Sequence, residues 1–318
     1  MTKERLRIQM TDAQAGARLD QALSELIPDR SRSQIQQWIQ EGRVRIGNEI
    51  PRQRDKMSGT EQVEIDVPEL IEERWQPEVI DLNVVYEDEV LLVIEKPAGL
   101  VVHPGAGNTQ GTLLNALLSH APALQALARA GIVHRLDKET SGLLVVAKTE
   151  GARLDLIEQL QSRSLKREYL AVVCGQMVAG GTVDEPIGRH PKDRKRMTVT
   201  TKGKPAITHY RVEEKYRAHT LVQVNLATGR THQIRVHMAY IHHPLVGDPV
   251  YGGRLKLPVK CSEELKQVLR NFKRQALHAR RLGLVHPESG ETMQWQSPIP
   301  ADLQQLIESL RRDTQENG

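Results

Sequence analysis

Two periodicities alternate along this chain. Leu19, Leu23 and Leu26 recur at helical spacing. Ile35, Trp38 and Ile39 share one face of a second helix, and Gly42 stands where that helix should end. "RVRIGNEI" and "EQVEIDV" alternate apolar with polar, as short strands do. The pattern over residues 18–67 predicts a small module, and "PELIEERWQPEVI", bounded by Pro68 and Pro77, reads as a linker.

A larger pattern begins near residue 80. "LNVVYEDEVLLVIEKP" predicts two strands around an acidic turn, and "GTLLNALLSHAPALQALA" a helix up to Pro122 and beyond it. "GIVHRLDKETSGLLVV", residues 131–146, predicts two short buried strands with "DKET" between them. An amphipathic helix follows over "TEGARLDLIEQLQSRS", with Thr149 as its N-cap. Strands are predicted at "REYLAVVCG", "AITHYRVEEKY" and "HTLVQVNL", then a helix at "RTHQIRVHMAYI". Strands around "LGLVH" and "ETMQWQ" precede a final helix, "ADLQQLIESLRR". Strands outnumber helices and do not alternate strictly with them. The expected fold class is α+β, with a long mixed, mainly antiparallel sheet and flanking helices. The expected domains are residues 1–75 and 76–318.

Composition narrows the field. A chain of 318 residues accommodates two domains, and a net charge of +4 permits a polyanionic partner without requiring one. Two cysteines, Cys174 and Cys261, make neither a disulfide framework nor a metal cluster. The charged start, "MTKERLRIQM", has no signal core, and no apolar run is long enough to span a bilayer. The expectation is a soluble, cytoplasmic monomer. Aromatic residues are only 3%, which argues against a platform that stacks many bases.

Several tempting motifs fail. "HPGAGNTQG" does not fit the dinucleotide fingerprint, and no phosphate-binding P-loop occurs. "HRLD" lacks the remaining kinase signatures. His232 and His237 are five apart rather than four, no H-E-x-x-H exists, and no G-x-S-x-G elbow is present. No metal and no cofactor are expected.

Three polar constellations stand inside apolar patterns. The first is His134-Arg135 with Asp137, Thr140, Ser141 and Gly142; a buried carboxylate such as Asp137 is costly unless paired. The second is Lys166-Arg167-Glu168-Tyr169. The third runs from Gly229 to His237 and includes Arg230, Thr231, His232 and Arg235, with Thr231 and Arg235 expected on one helical face. A basic stretch, residues 189–204, contains Arg194, Lys195 and Arg196 and reads as a loop that could contact phosphates. The N-terminal module carries Arg30, Arg32 and Arg43 among its own basic residues. Each motif alone has an ordinary structural explanation.

Together they resemble a family. "GIVHRLDKETSGLLVVAKT", "REYLAVVCG" and "TGRTHQIRVHMAYIHHPLVGDPVYGG" look like the three hallmark motifs of the RluA/RluD family of RNA pseudouridine synthases. "EKPAGLVVHPG" resembles that family's first catalytic strand pair, and the likeness runs from about residue 80 to 300. "ARLDQALSELIPDRSRSQIQQWIQEGRVRI" is similar to the ribosomal S-four type of RNA-binding domain, although Ile46-Gly47-Asn48 replaces its usual Val-Asn-Gly. The arrangement is closest to the RluD branch, whose members modify uridines in a stem-loop of large-subunit ribosomal RNA.

The resemblance implies the residue roles. Asp137 would be the catalytic carboxylate and Arg235 its ion-pair partner. Tyr169 would stack on the target uracil and take part in removing the C5 proton. Arg135 would fill the space of a flipped nucleotide, with His134, Thr140, Arg230 and His232 around the substrate and Arg30, Arg32, Arg43, Arg194, Lys195 and Arg196 on RNA. Ribosomal RNA or a ribosomal precursor would be the partner, and no cofactor is needed for an isomerisation. Two other readings stay open: a non-catalytic RNA-binding assembly factor, and a methyltransferase or glycosylase acting on RNA.

Overall fold

The computed structural model describes residues 5–27, 32–67, 75–105, 107–193 and 195–317, without the side chains of Ser33 and Gln34. The chain divides into two compact units, Met1–Arg74 and Trp75–Gly318.

In the first unit, strand β1 (Arg5–Gln9) precedes helices α1 (Leu19–Leu26) and α2 (Arg32–Gln40), then strands β2 (Val44–Ile46) and β3 (Gln62–Asp66). The sheet order is β1-β3-β2, all antiparallel. Leu19, Leu23, Ile35, Trp38 and Ile39 bury their helical stripes against Val44, Val63 and Ile65. Leu26, expected on that stripe, is exposed. Gly47 takes a positive φ in the turn between Ile46 and Glu49, so the substituted turn keeps its hairpin geometry. Strand β1 is an addition: in its "RLRIQ" the charged positions are exposed, while Leu6 and Ile8 on the other face are partly buried against the module's core.

The second unit begins with strands β4 (Asn83–Glu87) and β5 (Leu91–Lys96), helix α3 (Leu113–His120), strand β6 (Ser141–Ala147) and helix α4 (Glu150–Gln161). Thr149 caps α4 as expected, its hydroxyl accepting from the Ala152 amide. Strands β7 (Lys166–Cys174), β8 (Gly181–Asp184), β9 (Ile187–Arg189), β10 (Met197–Val199), β11 (Ile207–Lys215) and β12 (His219–Leu226) follow. Helices α5 (Gln233–Tyr240) and α6 (Glu263–Asn271), strands β13 (Leu277–Val285) and β14 (Thr292–Gln296), and helix α7 (Ala301–Asn317) complete the unit.

Nine strands form one sheet in the order β4-β5-β6-β13-β7-β12-β11-β8, with β14 paired to β13. Pairing is antiparallel throughout except between β13 and β6. Period-2 alternation sends successive residues to opposite faces. On β7, Leu170 and Val172 pack against Leu265, Leu269, Leu303 and Leu306 of α6 and α7, while Tyr169, Ala171 and Val173 face the other way. On β6, Leu143 and Val145 cover Ala152 and Leu156 of α4, while Leu144 and Val146 join Leu113 and Leu117 of α3. All seven residues of β6 are buried, which explains its unbroken apolar run.

Four expectations change. Residues 132–140 form a loop rather than a strand; only an isolated Ile132–Val146 bridge remains. The helix starts at Gln233, so Thr231 lies before it and shares no helical face with Arg235. The basic stretch is largely loop as expected, but its residues 190–193 and 195–196 lie between the paired strands β9 and β10. Strand β8 and helix α6 were not anticipated.

Buried histidines set the acid limit of this unit. Burial pushes His134 down to about 3, helped by Arg167, and His219 and His278 down to about 4. These folded values lie below the ordinary histidine value, so the unfolded chain takes up protons first. The contribution of these rings is therefore full above about pH 6.5 and falls towards pH 4, with a slope approaching about 4 kcal/mol per pH unit for three such groups. Denaturant unfolding at pH 7 and 5.5 should register this loss together with proton uptake; equal stabilities would contradict neutral burial of these rings.

Candidate active site

A cleft of about 940 Å³ opens on the Tyr169 face of the sheet. Its wall is built from the loop 132–140, the start of β7, the residues after β12 and the first turn of α5. Among the described residues lining it are six arginines, at positions 129, 135, 163, 167, 230 and 235, and one carboxylate, Asp137. A cleft of this sign attracts a polyanion.

Asp137 sits in the loop that replaces the expected strand, and its side chain is 15% exposed. The loop is tied from several sides. Its Thr140 amide donates to the Asp137 carbonyl, and the Gly99 amide donates to the Lys138 carbonyl at 2.9 Å. Leu136 is buried among the apolar residues of the sheet. Lys96, at the end of β5 and fully buried, donates to the carbonyls of Pro97, Leu100 and Lys138 at 2.7, 2.9 and 2.9 Å. Three carbonyl acceptors use three N–H donors, which only the ammonium form has. Burial nevertheless pulls its pKa down to about 7, with Glu139 and Asp137 opposing that fall. Where β6 begins, Gly142 takes φ +112, and a Cβ there would lie 2.2 Å from the Ala279 carbonyl oxygen. Only glycine lets β13 come this close to the loop's exit.

Arg235 reaches Asp137 from α5. Its Nη1 donates to Asp137 Oδ2 at 3.0 Å, while Nε and Nη2 grip Asp248 at 2.7 and 2.9 Å. Asp248 is buried and also accepts from the amides of Val250 and Tyr251. Burial works against its charge, but Arg235 and those amides hold its carboxyl below the ordinary range. Burial likewise opposes the Arg235 charge; Asp248 and Asp137 outweigh it and raise its pKa further. The guanidinium is thus fixed by one carboxylate and presented to another.

His232 stands at the N-terminus of α5 in a left-handed conformation, φ 57. Its Nδ1 faces the Tyr251 hydroxyl at 2.8 Å, and that hydroxyl accepts from the Met197 amide at 2.9 Å. The other ring nitrogen, Nε2, lies 3.9 Å from Asp137 Oδ1. Burial lowers the His232 pKa against the pull of Asp137, so this ring is neutral at pH 7. The Tyr251 ring lies 5.0 Å below the Arg235 guanidinium and 5.5 Å from that of Arg196.

Tyr169 is 5% exposed and lines the same cleft. Burial and Asp137 raise its pKa against the influence of Arg167, so its hydroxyl keeps its proton at neutral pH. Arg135 is exposed at the cleft, on a loop and not on a strand face shared with Asp137. Arg230 lines the cleft and donates to the Pro205 carbonyl at 3.1 Å. His134 accepts the Val145 amide at 3.2 Å, leaving its Nδ1 buried with no hydrogen-bond partner. The Thr140 hydroxyl is engaged by Gln275 at 3.1 Å.

The expected RNA-facing cations fare unevenly. Lys195 and Arg196 lie in the turn of the β9–β10 hairpin. Arg32 is committed to Asp20 at 2.9 Å, a carboxylate with no exposed side-chain surface that Arg18 and Gln36 also hold. Arg43 pairs with Glu41 at 2.6 Å. These two are therefore not free cations. Arg30 and Arg194 lie outside the described residues.

Three participants escaped sequence reasoning, Asp248, Tyr251 and Lys96, while Arg167 stood in the second constellation without a role. Lys96 left a signal, a cation beside Glu95 closing the apolar run "LLVIEKP". Asp248 and Tyr251 stood within the quoted third motif, but nothing local tied them to Arg235. Among the described residues no helix is long and apolar enough to cross a membrane.

Comparison with known proteins identifies the family. An RNA pseudouridylate synthase family model matches residues 90–240, and an S4 domain model matches residues 17–52. The ribosomal large subunit pseudouridine synthase D of Escherichia coli strain K12 is 54% identical over 316 residues, 98% of this chain and 97% of the relative. That of Pasteurella multocida strain Pm70 is 54% identical over 304 residues, 95% of this chain and 94% of the relative. The solved structure of human RNA pseudouridylate synthase domain containing 4 is 27% identical, with a TM-score of 0.57, covering 72% of this chain and 93% of that one. A relative this similar over nearly the whole length settles kinship, and this chain belongs to the RNA pseudouridine synthases.

Proposed function

We propose that this enzyme converts uridines in a stem-loop of large-subunit ribosomal RNA to pseudouridine and so contributes to ribosome maturation. Its near-full-length relatives are named for the large ribosomal subunit. The observation that carries the catalytic assignment is the Arg235 guanidinium, anchored on Asp248 and shared with the only carboxylate among the described residues lining an arginine-rich cleft.

The reaction breaks the bond from ribose C1′ to uracil N1, turns the base and joins C1′ to C5. C5 loses one proton and N1 gains one, so nothing is consumed. Asp137 Oδ2 is occupied by Arg235, while Oδ1 accepts no hydrogen bond among the described residues and is the oxygen available to the sugar. Tyr169 offers its ring as a stacking face. Because its hydroxyl is protonated, it serves the C5 proton as a relay towards an anion, and Asp137 is the anion in reach of the cleft. Extruding a base costs roughly a few kcal/mol, and Arg135 at the rim is free to occupy the gap. Residues 1–75 form the RNA-binding domain, with exposed Arg45, Arg52, Arg54 and Lys56 as its phosphate contacts. The protein works in the cytoplasm as a monomer.

Incubating the protein with a large-subunit ribosomal RNA transcript and mapping pseudouridine tests this reading. Uridines converted at defined positions support it. Free uracil as product would indicate a glycosylase, and binding without conversion an assembly factor.

Asp137→Asn should keep the fold and RNA affinity while turnover drops on the order of 10⁴-fold, because an amide is neither nucleophile nor base. Turnover per folded, RNA-bound molecule is the measurement; a readily measured rate would refute the assignment. Asp248→Asn leaves Asp137 intact but removes the anchor of Arg235. The unfolding free energy should fall by about 3–5 kcal/mol. At a temperature where the variant is folded, kcat should fall while KM changes little. An unaltered kcat in the folded variant would mean Asp248 supports the fold alone.

A further inference from the structure

Arg167 is a buried cation that the mechanism above leaves unused. It lies two residues before Tyr169 on β7, so both side chains leave the same face of the strand and both line the cleft. The residue is only 9% exposed. Its Nε is withdrawn from water, and a buried guanidinium donor is ordinarily paired. Here Nε has no hydrogen-bond partner, and no ion pair or side-chain hydrogen bond serves this residue among the described residues. Nearby acids are taken. Glu168 faces the other side of the strand and binds Arg280 and Arg281 at 2.8 and 3.2 Å, while Asp137 is engaged by Arg235.

The surroundings keep a place for this unpaired charge. A Cβ at residue 229 would lie 2.7 Å from Arg167 Nη1. Gly229 has no positive φ, so its backbone does not require glycine; a side chain there would meet the Arg167 guanidinium and push its flexible end aside. The glycine between Thr228 and Arg230 thus keeps the fork of Arg167 unobstructed where the cleft is lined by residues 227–230.

We propose that Arg167 is the receptor for one phosphodiester of the substrate RNA, the one adjoining the nucleotide whose base enters the cleft beside Tyr169. A base carbonyl would satisfy hydrogen bonds but leave the charge uncompensated; a phosphodiester supplies both, and two oxygens match the fork. The inference rests on the reading of this cleft as the site of uridine isomerisation.

The test is phosphate-ethylation interference on a large-subunit ribosomal RNA transcript, with the full-length protein, R167M and G229A. Wild-type protein should be blocked by ethylation of a phosphate next to a uridine it converts. In R167M and G229A that one interference should vanish while the others persist. The slope of log Kd against log salt should shrink by about 0.7–0.9 in R167M, the share of one phosphate. The thermal midpoint of RNA-free R167M should not fall below wild type, because no partner is lost. An unchanged interference pattern, as contact to a uracil carbonyl alone would give, overturns the proposal. So does a lowered midpoint or failure of R167M to fold, which would assign the side chain to the fold. If the wild-type protein converts no uridine, the reading of the site fails separately and visibly.

Discussion

One guanidinium divides itself between two carboxylates, and the active cleft is organised around that division. Arg235 gives two of its donors to buried Asp248 and one to Asp137 at the cleft. A single buried pair typically repays little of its own desolvation. A triad in which Asp248 collects two backbone amides as well satisfies more of the buried polar groups and makes the direction of the guanidinium rigid. What reaches Asp137 is therefore a charge with a fixed position. The same charge stacks on Tyr251, whose hydroxyl orients the neutral His232 ring towards the other oxygen of Asp137.

The opposite side of that contact has to be equally firm, and the loop 132–140 is made so without strand pairing. Its carbonyls go to the Lys96 ammonium, the Gly99 amide and the Arg274 guanidinium. Irregular backbone can sit this close to a core only when its polar groups are individually met. The cleft then combines a rigid anion with a wall of cations, an arrangement suited to a polyanionic substrate whose chemistry needs one carboxylate.

Much of this was legible in the residues. Helix α7 buries one stripe, Leu303, Leu306, Ile307 and Leu310, and Thr149 marks the start of α4, so local signals suffice there; β7 and β12, largely buried on both faces, show instead as apolar-rich runs. Asp137 and Arg235 were brought together by resemblance, not by spacing, since they are 98 residues apart. The strand expected around Asp137 failed because Ile132, Val133 and buried Leu136 mimic a strand's apolar run, while the hydrogen bonds that decide the matter come from distant residues. The β9–β10 hairpin was hidden by its charge density, and Arg32 looked free because its partner, Asp20, lies on another helix. Asp248 was invisible for a general reason: a lone aspartate in a loop gains meaning only when the fold brings an arginine to it. Helix α6 is the exception, for Ser262 and its apolar spacing were readable and went unread.

The central claim is that Asp137 depends on the geometry of the Arg235 fork and not merely on a nearby positive charge. Arg235→Lys separates the two, because an ammonium keeps the charge but cannot hold Asp248 at two points and Asp137 at a third. The measurement is the single-turnover rate of uridine conversion on a saturating large-subunit ribosomal RNA transcript. The account predicts a rate at least about a hundredfold below wild type, with the protein folded and RNA affinity retained, as expected for loss of a preorganised electrostatic contact. A folded Arg235→Lys enzyme within a few-fold of the wild-type rate would contradict it.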